Sequence, residues 1–208
     1  GSVTFRKAQS HMIHILSGRA CVCDMHITDS CRTQSGAAAL AVCGDASRLH
    51  LCRCTMHAVN EVGLIVDEGG TAVVSECEFR SLTAQAIEVR GEGQLEVRHA
   101  RFERVHQGIC AYAGARSVML ENVHIDGAMN EGVYASGAVV HEESARVVRD
   151  ITVAVPEGRL PQTEACPAVR RTKALQRMAA DLDIHGRLVL SMTDCTIRRT
   201  HGLACSIT

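Results

Sequence analysis

The sequence predicts an all-β solenoid built from similar coils of short strands, and three observations lead to this fold class. An apolar signature with four fixed positions returns about every 23 residues, a period typical of stacked supersecondary units. Within each half of the signature, apolar residues alternate with other residues, which indicates strands and not helices. A small residue followed by a short apolar strand also lies between successive copies. Three central copies show the signature most clearly: Ala72-x-Val74-x-x-Cys77-x-Phe79, Leu95-x-Val97-x-x-Ala100-x-Phe102 and Val118-x-Leu120-x-x-Val123-x-Ile125.

The same four positions can be followed towards both ends of the chain. Val3 and Phe5 match the end of an early copy, and Arg146 occupies the first position of an incomplete later one. Because every coil buries its apolar positions against its neighbours, these copies predict a stack of about seven to eight coils. The outer copies are Ala20, Val22, Met25 and Ile27; Leu49, Leu51, Cys54 and Met56; Val148, Ile151 and Val153; and Leu190, Met192, Cys195 and Ile197.

Short polar corners separate the two halves of each signature. None has the Asn-Gly or Asp-Gly sequence that is typical of two-residue hairpin turns. The chain is therefore expected to continue around a coil, so that each strand pairs in parallel with a strand one coil away, about 4.8 Å distant. The corners are Ser75-Glu76, Arg98-His99, Glu121-Asn122 and Arg149-Asp150, and the strands between signatures cover 63–66, 86–89, 108–111 and 132–135.

With these repeats the chain resembles the right-handed parallel β-helix proteins of the pectate-lyase-like superfamily. The resemblance covers about residues 3–208, which are expected to form one domain, and Gly1-Ser2 is interpreted as a cloning scar. In style the chain is closest to the non-catalytic eukaryotic β-helix modules of F-box substrate receptors and of Shc SH2-binding, spindle-associated proteins. The resemblance implies a right-handed coil, in line with the strong bias of parallel crossovers. It also implies that the fold serves protein or glycan contacts within a larger protein.

One interruption of the repeat is predicted over residues 154–181. Pro156, Gly158 and Pro161 indicate a loop. From Pro167 onwards the apolar residues have helical spacing with Arg and Lys between them, which predicts a short basic amphipathic helix. This helix either packs its apolar side on the solenoid wall or serves as a lid or a partner-binding element.

Composition limits the partners and the location. The formal net charge is −1 and no apolar run is long enough to cross a bilayer, so neither nucleic acid nor membrane is an expected partner. The eleven cysteines follow no disulfide-framework spacing, and several fall in core positions. We therefore expect buried free thiols that behave as small apolar groups. This predicts an intracellular location, cytoplasmic or cytoskeleton-associated.

Catalytic chemistry can be tested against the expected register of the coils. In enzymes of the superfamily that the chain resembles, reactive carboxylates project outward from neighbouring coils of one sheet. Here no two adjacent coils place carboxylates side by side in either outward row, so no catalytic residues and no cofactor are predicted. Asp67, Glu88 and Arg90 are instead expected to form an ion-pair cluster. The central outward row reads His14, Ala41, Ile65, Glu88, Cys110, Tyr134, Asp183 and Ala204, and the flanking row reads Leu16, Cys43, Asp67, Arg90, Tyr112 and Ser136.

A metal site is suggested by ligand type but not by register. Cys21-x-Cys23-x-x-His26 is echoed by Cys52-x-Cys54-x-x-His57, and zinc binds such ligands. The repeat register directs Cys54 inward, whereas Cys23 and Cys52 occupy the same corner of adjacent coils. No metal site is therefore predicted.

The predicted function is a non-catalytic protein-interaction or scaffold module. Ala41, Ile65, Cys110, Tyr112 and Tyr134 are expected to form a partly apolar stripe on one flat sheet, and exposed apolar stripes of this kind mark recognition sites. Two alternatives stay open: a carbohydrate-active or carbohydrate-binding β-helix whose site is incomplete in this chain, and a spacer that associates end to end. The predicted partner-binding residues are Ile65, Asp67, Glu88, Arg90, Cys110, Tyr112 and Tyr134.

Overall fold

Twenty short strands in three parallel sheets make up the computed structural model, which describes residues 11–28, 38–136, 151–154 and 188–207. Sheet 1 contains β1 (Ile13–Ile15), β4 (Ala38–Cys43), β7 (Val62–Asp67), β10 (Gln85–Val89), β13 (Gln107–Ala111), β16 (Val133–Ala135) and β20 (Cys205–Ile207). Sheet 2 contains β2 (Gly18–Cys23), β5 (Ser47–Cys52), β8 (Thr71–Ser75), β11 (Gln94–Arg98), β14 (Ser117–Glu121) and β18 (Val189–Thr193). Sheet 3 contains β3 (His26–Thr28), β6 (Thr55–His57), β9 (Glu78–Arg80), β12 (Arg101–Glu103), β15 (His124–Asp126), β19 (Cys195–Arg198) and β17 (Ile151–Ala154). Within these residues no helix is both long and apolar enough to cross a membrane.

Over residues 38–126 the chain visits the three sheets in rotation, so each coil adds one parallel strand to each sheet. The predicted inward columns are confirmed: Val97 pairs with Val74 on one side and with Leu120 on the other. All three side chains are buried. Stacking therefore lets each coil cover the apolar residues of the next, and the predicted all-β parallel solenoid is confirmed.

Aromatic and thiol columns fill the narrow interior. The rings of Phe79 and Phe102 are fully buried and stack with centroids 4.8 Å apart and planes inclined by only 5°. Cys77 lies two residues before Phe79, and Cys54 occupies the same position on the preceding coil. Both thiols are buried and donate to backbone carbonyl oxygens. Burial raises the pKa of Cys77 to about 12, so its thiol stays neutral. These core cysteines behave as small apolar residues, as the sequence predicts.

The polar corner between sheets 2 and 3 explains why the chain coils. One residue in each copy adopts a left-handed backbone conformation, which turns the chain while its amide still faces the neighbouring coil. The amide of Glu76 donates to the carbonyl oxygen of Arg98, and the amide of His99 donates to that of Glu121, so the hydrogen-bond ladder continues around the corner. The left-handed residues, with φ between 49° and 55°, are Asp24, Arg53, Glu76, His99, Asn122 and Asp194.

A column of small residues marks the entry to sheet 1. Ala86 and Gly108 occupy this column on adjacent coils. The backbone of the next coil approaches the column closely, which explains the small residue that precedes each apolar strand in the sequence. A Cβ atom at Gly108 would lie 2.2 Å from the carbonyl oxygen of Gly132 and 3.0 Å from Cδ1 of Ile125. Glycine is therefore required at this position by space and not by backbone conformation.

The coil order differs from the prediction in one place. Val148, Ile151 and Val153 were expected to form the coil next to β14 and β15, but β18 and β19 pair with those strands directly. β17 pairs with β19 on the side away from β15. The physical reason is that residues 190–197 supply all four apolar columns, whereas Arg146 interrupts the first column of the other copy. The predicted helix, like most of the predicted insertion 154–181, lies outside the described residues.

We expect Phe102→Ala to lower the free energy of unfolding by about 3–5 kcal/mol, because it removes a fully buried ring from a stacked pair. Chemical denaturation followed by circular dichroism measures the loss. The matched control is Met119→Ala on the outer face of β14, which should change the value by about 0.5 kcal/mol or less. Equal losses in the two variants would contradict the assignment of inward and outward positions.

The coil order can be tested through Asp126. Arg199 Nε donates to Asp126 Oδ1 over 2.6 Å although 73 residues separate them in sequence, and this pairing holds the pKa of Asp126 below its ordinary value. A pKa lower in the folded than in the unfolded chain stabilises the fold above the ordinary carboxyl pKa, and the contribution is lost as pH falls through the folded value.

In Arg199→Ala, NMR titration should show the pKa of Asp126 rising towards about 3.9, the ordinary aspartate value. Arg116→Ala, which removes an arginine outside this ion pair, should leave the pKa of Asp126 unchanged. An unchanged pKa in Arg199→Ala would argue against direct stacking of β19 on β15.

Candidate functional site

The outer face of sheet 1 carries three rows of side chains that run across the coils. The central row follows the prediction from His14 to Tyr134, but its next member is Ser206 and not Ala204, because β20 pairs directly with β16. The predicted member Asp183 lies outside the described residues. The central row consists of His14, Ala41, Ile65, Glu88, Cys110, Tyr134 and Ser206. One flanking row contains Cys43, Asp67, Arg90 and Tyr112, and the other contains Ala38, Val62, Gln85, Gln107 and Glu131.

The expected exposed apolar stripe in the central row is wrong. Ala41, Ile65 and Cys110 point outward, yet none is more than 1% exposed. Ile65 packs with Ala38 and Val62 in a second apolar cluster, separate from the main core. Strand alternation predicts the side of the sheet on which a residue lies, but not whether neighbouring side chains cover it. Ala41, Ile65 and Cys110 therefore offer no apolar surface to a partner.

Cys110 lies between two larger side chains of its own row, Glu88 and Tyr134. Burial, together with the charges of Glu88 and Glu131, raises the pKa of Cys110 to about 12. This thiol is thus neutral and inaccessible, and it forms the floor beneath the polar side chains around it.

The predicted ion-pair cluster is confirmed. Arg90 donates from Nε to Asp67 Oδ2 over 2.6 Å and from Nη1 to Glu88 Oε1 over 2.9 Å. Burial lowers the pKa of Arg90, but the hydrogen bond to Asp67 and the charge of Glu88 outweigh it and raise the value overall. Because Glu88 is only 9% exposed, Arg90 supplies the charge that makes its burial tolerable.

Tyr112 and Tyr134 lie on successive coils, close together as predicted. Their ring centroids are 5.8 Å apart and the ring planes are inclined by 55°. Both side chains are partly exposed, and the hydroxyl of Tyr112 accepts a hydrogen bond from Gln85 Nε2 over 3.4 Å. Burial first, and then the neighbouring Cys110 and Glu88 side chains, raise the pKa of Tyr112. The pair offers a fixed aromatic edge in an otherwise polar surface.

A ladder of amides, which the sequence interpretation missed, completes the face. Gln85 Nε2 donates to Gln107 Oε1 over 3.1 Å, and Gln107 Nε2 donates to Glu131 Oε2 over 2.7 Å. These residues lie one position before the small residues Ala86, Gly108 and Gly132. Their recurrence at that position is the signal that could have predicted the ladder.

A buried acid near the first coil was also missed. Glu61 is 4% exposed, and neither of its carboxyl oxygens has a hydrogen-bond partner. Burial and the neighbouring His14 lower the pKa of His11 by more than the hydrogen bond with Ala38 and the charge of Glu61 raise it. His11 Nδ1 accepts a hydrogen bond from the amide of Ala38 over 3.0 Å, so its ring is fixed in place.

The cysteine and histidine motifs are arranged as the register predicts. Cys23 pairs with Cys52 across adjacent coils, and Cys54 is buried in the core. His26 and His57 are exposed in sheet 3. In the part of the chain that the structure describes, no group of three or more histidine, cysteine, aspartate or glutamate side chains is placed to hold a metal ion.

Together these rows form a polar surface that we call the sheet 1 face. It offers hydrogen-bond donors and acceptors at each coil spacing. Two carboxylates are paired with the guanidinium of Arg90, a third carboxylate accepts from Gln107, and two tyrosine rings lie beside them. Such a surface can bind an extended polar chain that runs across the coils. Its members are Asp67, Gln85, Glu88, Arg90, Gln107, Tyr112, Glu131 and Tyr134.

Comparison with known families gives a match that agrees with this architecture. Residues 38–153, more than half of the 208-residue chain, match the model of the right-handed β-helix region. Neither the curated proteins nor the solved structures gave a match. The matched segment contains the central coils of all three sheets and every residue of the sheet 1 face. The chain therefore belongs to the right-handed β-helix family.

Proposed function

We propose that this chain is a non-catalytic interaction module that binds a protein partner through the sheet 1 face. The observation that carries the proposal is the grouping of Arg90, Tyr112 and Tyr134 on three successive coils of one sheet. Tyrosine and arginine are among the residue types that contribute most to binding energy at protein interfaces. Here two carboxylates hold Arg90, and the hydrogen bond from Gln85 and the contact between the rings restrain the tyrosines, so less side-chain entropy is lost on binding.

The charge of the face supports a partner segment with basic side chains. Asp67, Glu88 and Glu131 carry three formal negative charges, and Arg90 neutralises about one of them. A lysine or arginine of the partner could approach both the remaining carboxylates and the tyrosine rings, which attract cations through their faces. Complementary charge would raise the association rate and favour this class of partner over acidic ones.

The same proposal makes the chain part of a larger intracellular protein, cytoplasmic or cytoskeleton-associated. Free, buried thiols such as Cys54, Cys77 and Cys195 support a reducing compartment. The β-helix segments of F-box substrate receptors and of Shc SH2-binding, spindle-associated proteins illustrate the kind of use that we propose. End-to-end association through the outermost strands is a further way in which such a module could assemble.

A carbohydrate-active role is the second candidate, and Glu131 favours it. Glu88 and Glu131 both raise the pKa of the buried Cys110, and they lie on coils two apart, whose backbones are separated by roughly 9.6 Å. Inverting glycoside hydrolases hold their two carboxyl groups about 6.5–9.5 Å apart, slightly less than this backbone rise, so the two side chains would have to lean towards each other. Glu88 Oε1 is already bonded to Arg90, as in a structural ion pair, and we therefore rank the interaction role first.

Affinity capture from a native lysate tests the first proposal. The double variant Tyr112→Ala, Tyr134→Ala should reduce the recovery of the partner at least tenfold, because truncating tyrosines at the centre of an interface typically costs about 2 kcal/mol or more. Quantitative mass spectrometry measures the recovery. The melting temperature should fall only slightly, since both rings are partly exposed.

The matched control is Met119→Ala, Met129→Ala, which removes two exposed apolar side chains outside sheet 1. Capture by this variant should equal that of the wild type. Undiminished capture by the tyrosine variant would exclude the sheet 1 face as the binding surface. Hydrolysis or cleavage of a polysaccharide that disappears in Glu131→Gln would instead support the carbohydrate-active alternative.

A further inference from the structure

Two thiols lie in contact on the outer surface of sheet 2, on the opposite side of a strand from the core. Cys21 and Cys23 are two residues apart in β2, so their side chains leave the same face of the strand. Their Sγ atoms are 3.2 Å apart and share a hydrogen bond. Cys21 is exposed and Cys23 is partly exposed. Among the described residues β2 is the outermost strand of sheet 2.

The neighbouring coil supplies a third thiol in a different state. Cys52 pairs with Cys23 in the strand register, but it is buried and its Sγ accepts a hydrogen bond from Arg53 Nη1 over 3.2 Å. The guanidinium of Arg53 is itself held by both carboxyl oxygens of Asp24. Cys52 is therefore fixed and shielded, whereas Cys21 and Cys23 face solvent and each other.

The two exposed thiols are suited to different steps of disulfide exchange. The hydrogen bond shared with Cys21, in which the Cys23 thiol is the donor that accounts for the shift, raises the pKa of Cys23 to about 11, so Cys23 remains a thiol at neutral pH. Attack on an external disulfide then falls to Cys21, the more exposed of the two. Covalent modification of Cys21 weakens the hydrogen bond that retains the proton on Cys23. Cys23 then becomes the resolving thiol.

We propose that Cys21 and Cys23 form a redox-active pair that reacts reversibly with low-molecular-weight disulfides. The Cys21 thiolate attacks one sulfur of the small disulfide, a mixed disulfide forms, and one small thiolate leaves. Cys23 then loses its proton to solvent and attacks the Cys21 sulfur, which breaks the mixed disulfide and releases the second small thiolate. The protein pair is oxidised by two electrons, and the small disulfide is reduced to two thiols.

Strand geometry makes the product easy to reduce. Residues two apart in a strand are separated by about 6.4–6.8 Å, which lies at the upper end of the Cα distances that disulfides span. A disulfide at that limit is strained, and strained exposed disulfides are the labile and reversible ones. The pair is thus expected to return to the dithiol with a mild thiol reductant.

The test uses the whole chain and oxidised glutathione. Cleavage before aspartate gives peptide 1–23, whose only cysteines are Cys21 and Cys23, while Cys52 falls in peptide 45–66. After treatment and thiol alkylation, mass spectrometry of the wild type should show peptide 1–23 lighter by two hydrogens, without alkyl groups or glutathione. Dithiothreitol added before alkylation should restore the doubly alkylated peptide.

Variants at the two positions assign the roles. Cys23→Ser should retain one glutathione on peptide 1–23, because the resolving thiol is missing. Cys21→Ser should take up at least tenfold less glutathione on this peptide than Cys23→Ser does. Cys52→Ser is the matched control and should behave as the wild type. A wild-type peptide 1–23 that stays reduced, retains glutathione, or becomes linked to peptide 45–66 would overturn the proposal, and this measurement needs no variant to fold.

Discussion

The in-register parallel ladder is the constraint on which the rest of the structure depends. Each backbone amide that pairs with the next coil fixes both the spacing of the coils and the residue that stands above each residue. A substitution therefore changes first the packing of the two residues above and below it in the same column. The stacked rings of Phe79 and Phe102 are one such contact. The non-glycine corners, despite a backbone strain of about 1–2 kcal/mol each, persist because the ladder runs through them.

Much of this architecture could be predicted from the sequence, because inward columns repeat the same residue types. Val74, Val97 and Leu120 carry that signal, and their pairing is as expected. Alternation defines only the direction of a side chain, which is why the burial of Ile65 was not anticipated. Glu131 was missed since it precedes the apolar strand, in a row that the repeat signature does not include.

The sheet 1 face and the cysteine pair on sheet 2 show what a rigid ladder does for surface chemistry. In both places, side chains that are distant in sequence or weakly reactive alone are held at fixed separations by the backbone. On sheet 1 this produces an ion-pair cluster, an amide ladder and a tyrosine pair within a few coils. On sheet 2 it holds Cys21 against Cys23. The two surfaces lie on different sheets of the same solenoid.

The position of β17 has a consequence for how the stack can grow. This strand precedes β19 in sequence but lies beyond it in space, where its backbone occupies the hydrogen-bonding edge of β19. An additional coil, or a second copy of the chain, would have to displace β17 before it could pair with that edge. Among the described residues β17 is thus the edge strand of sheet 3, and any coil or second copy that is to pair with β19 has to compete with a segment of the same chain.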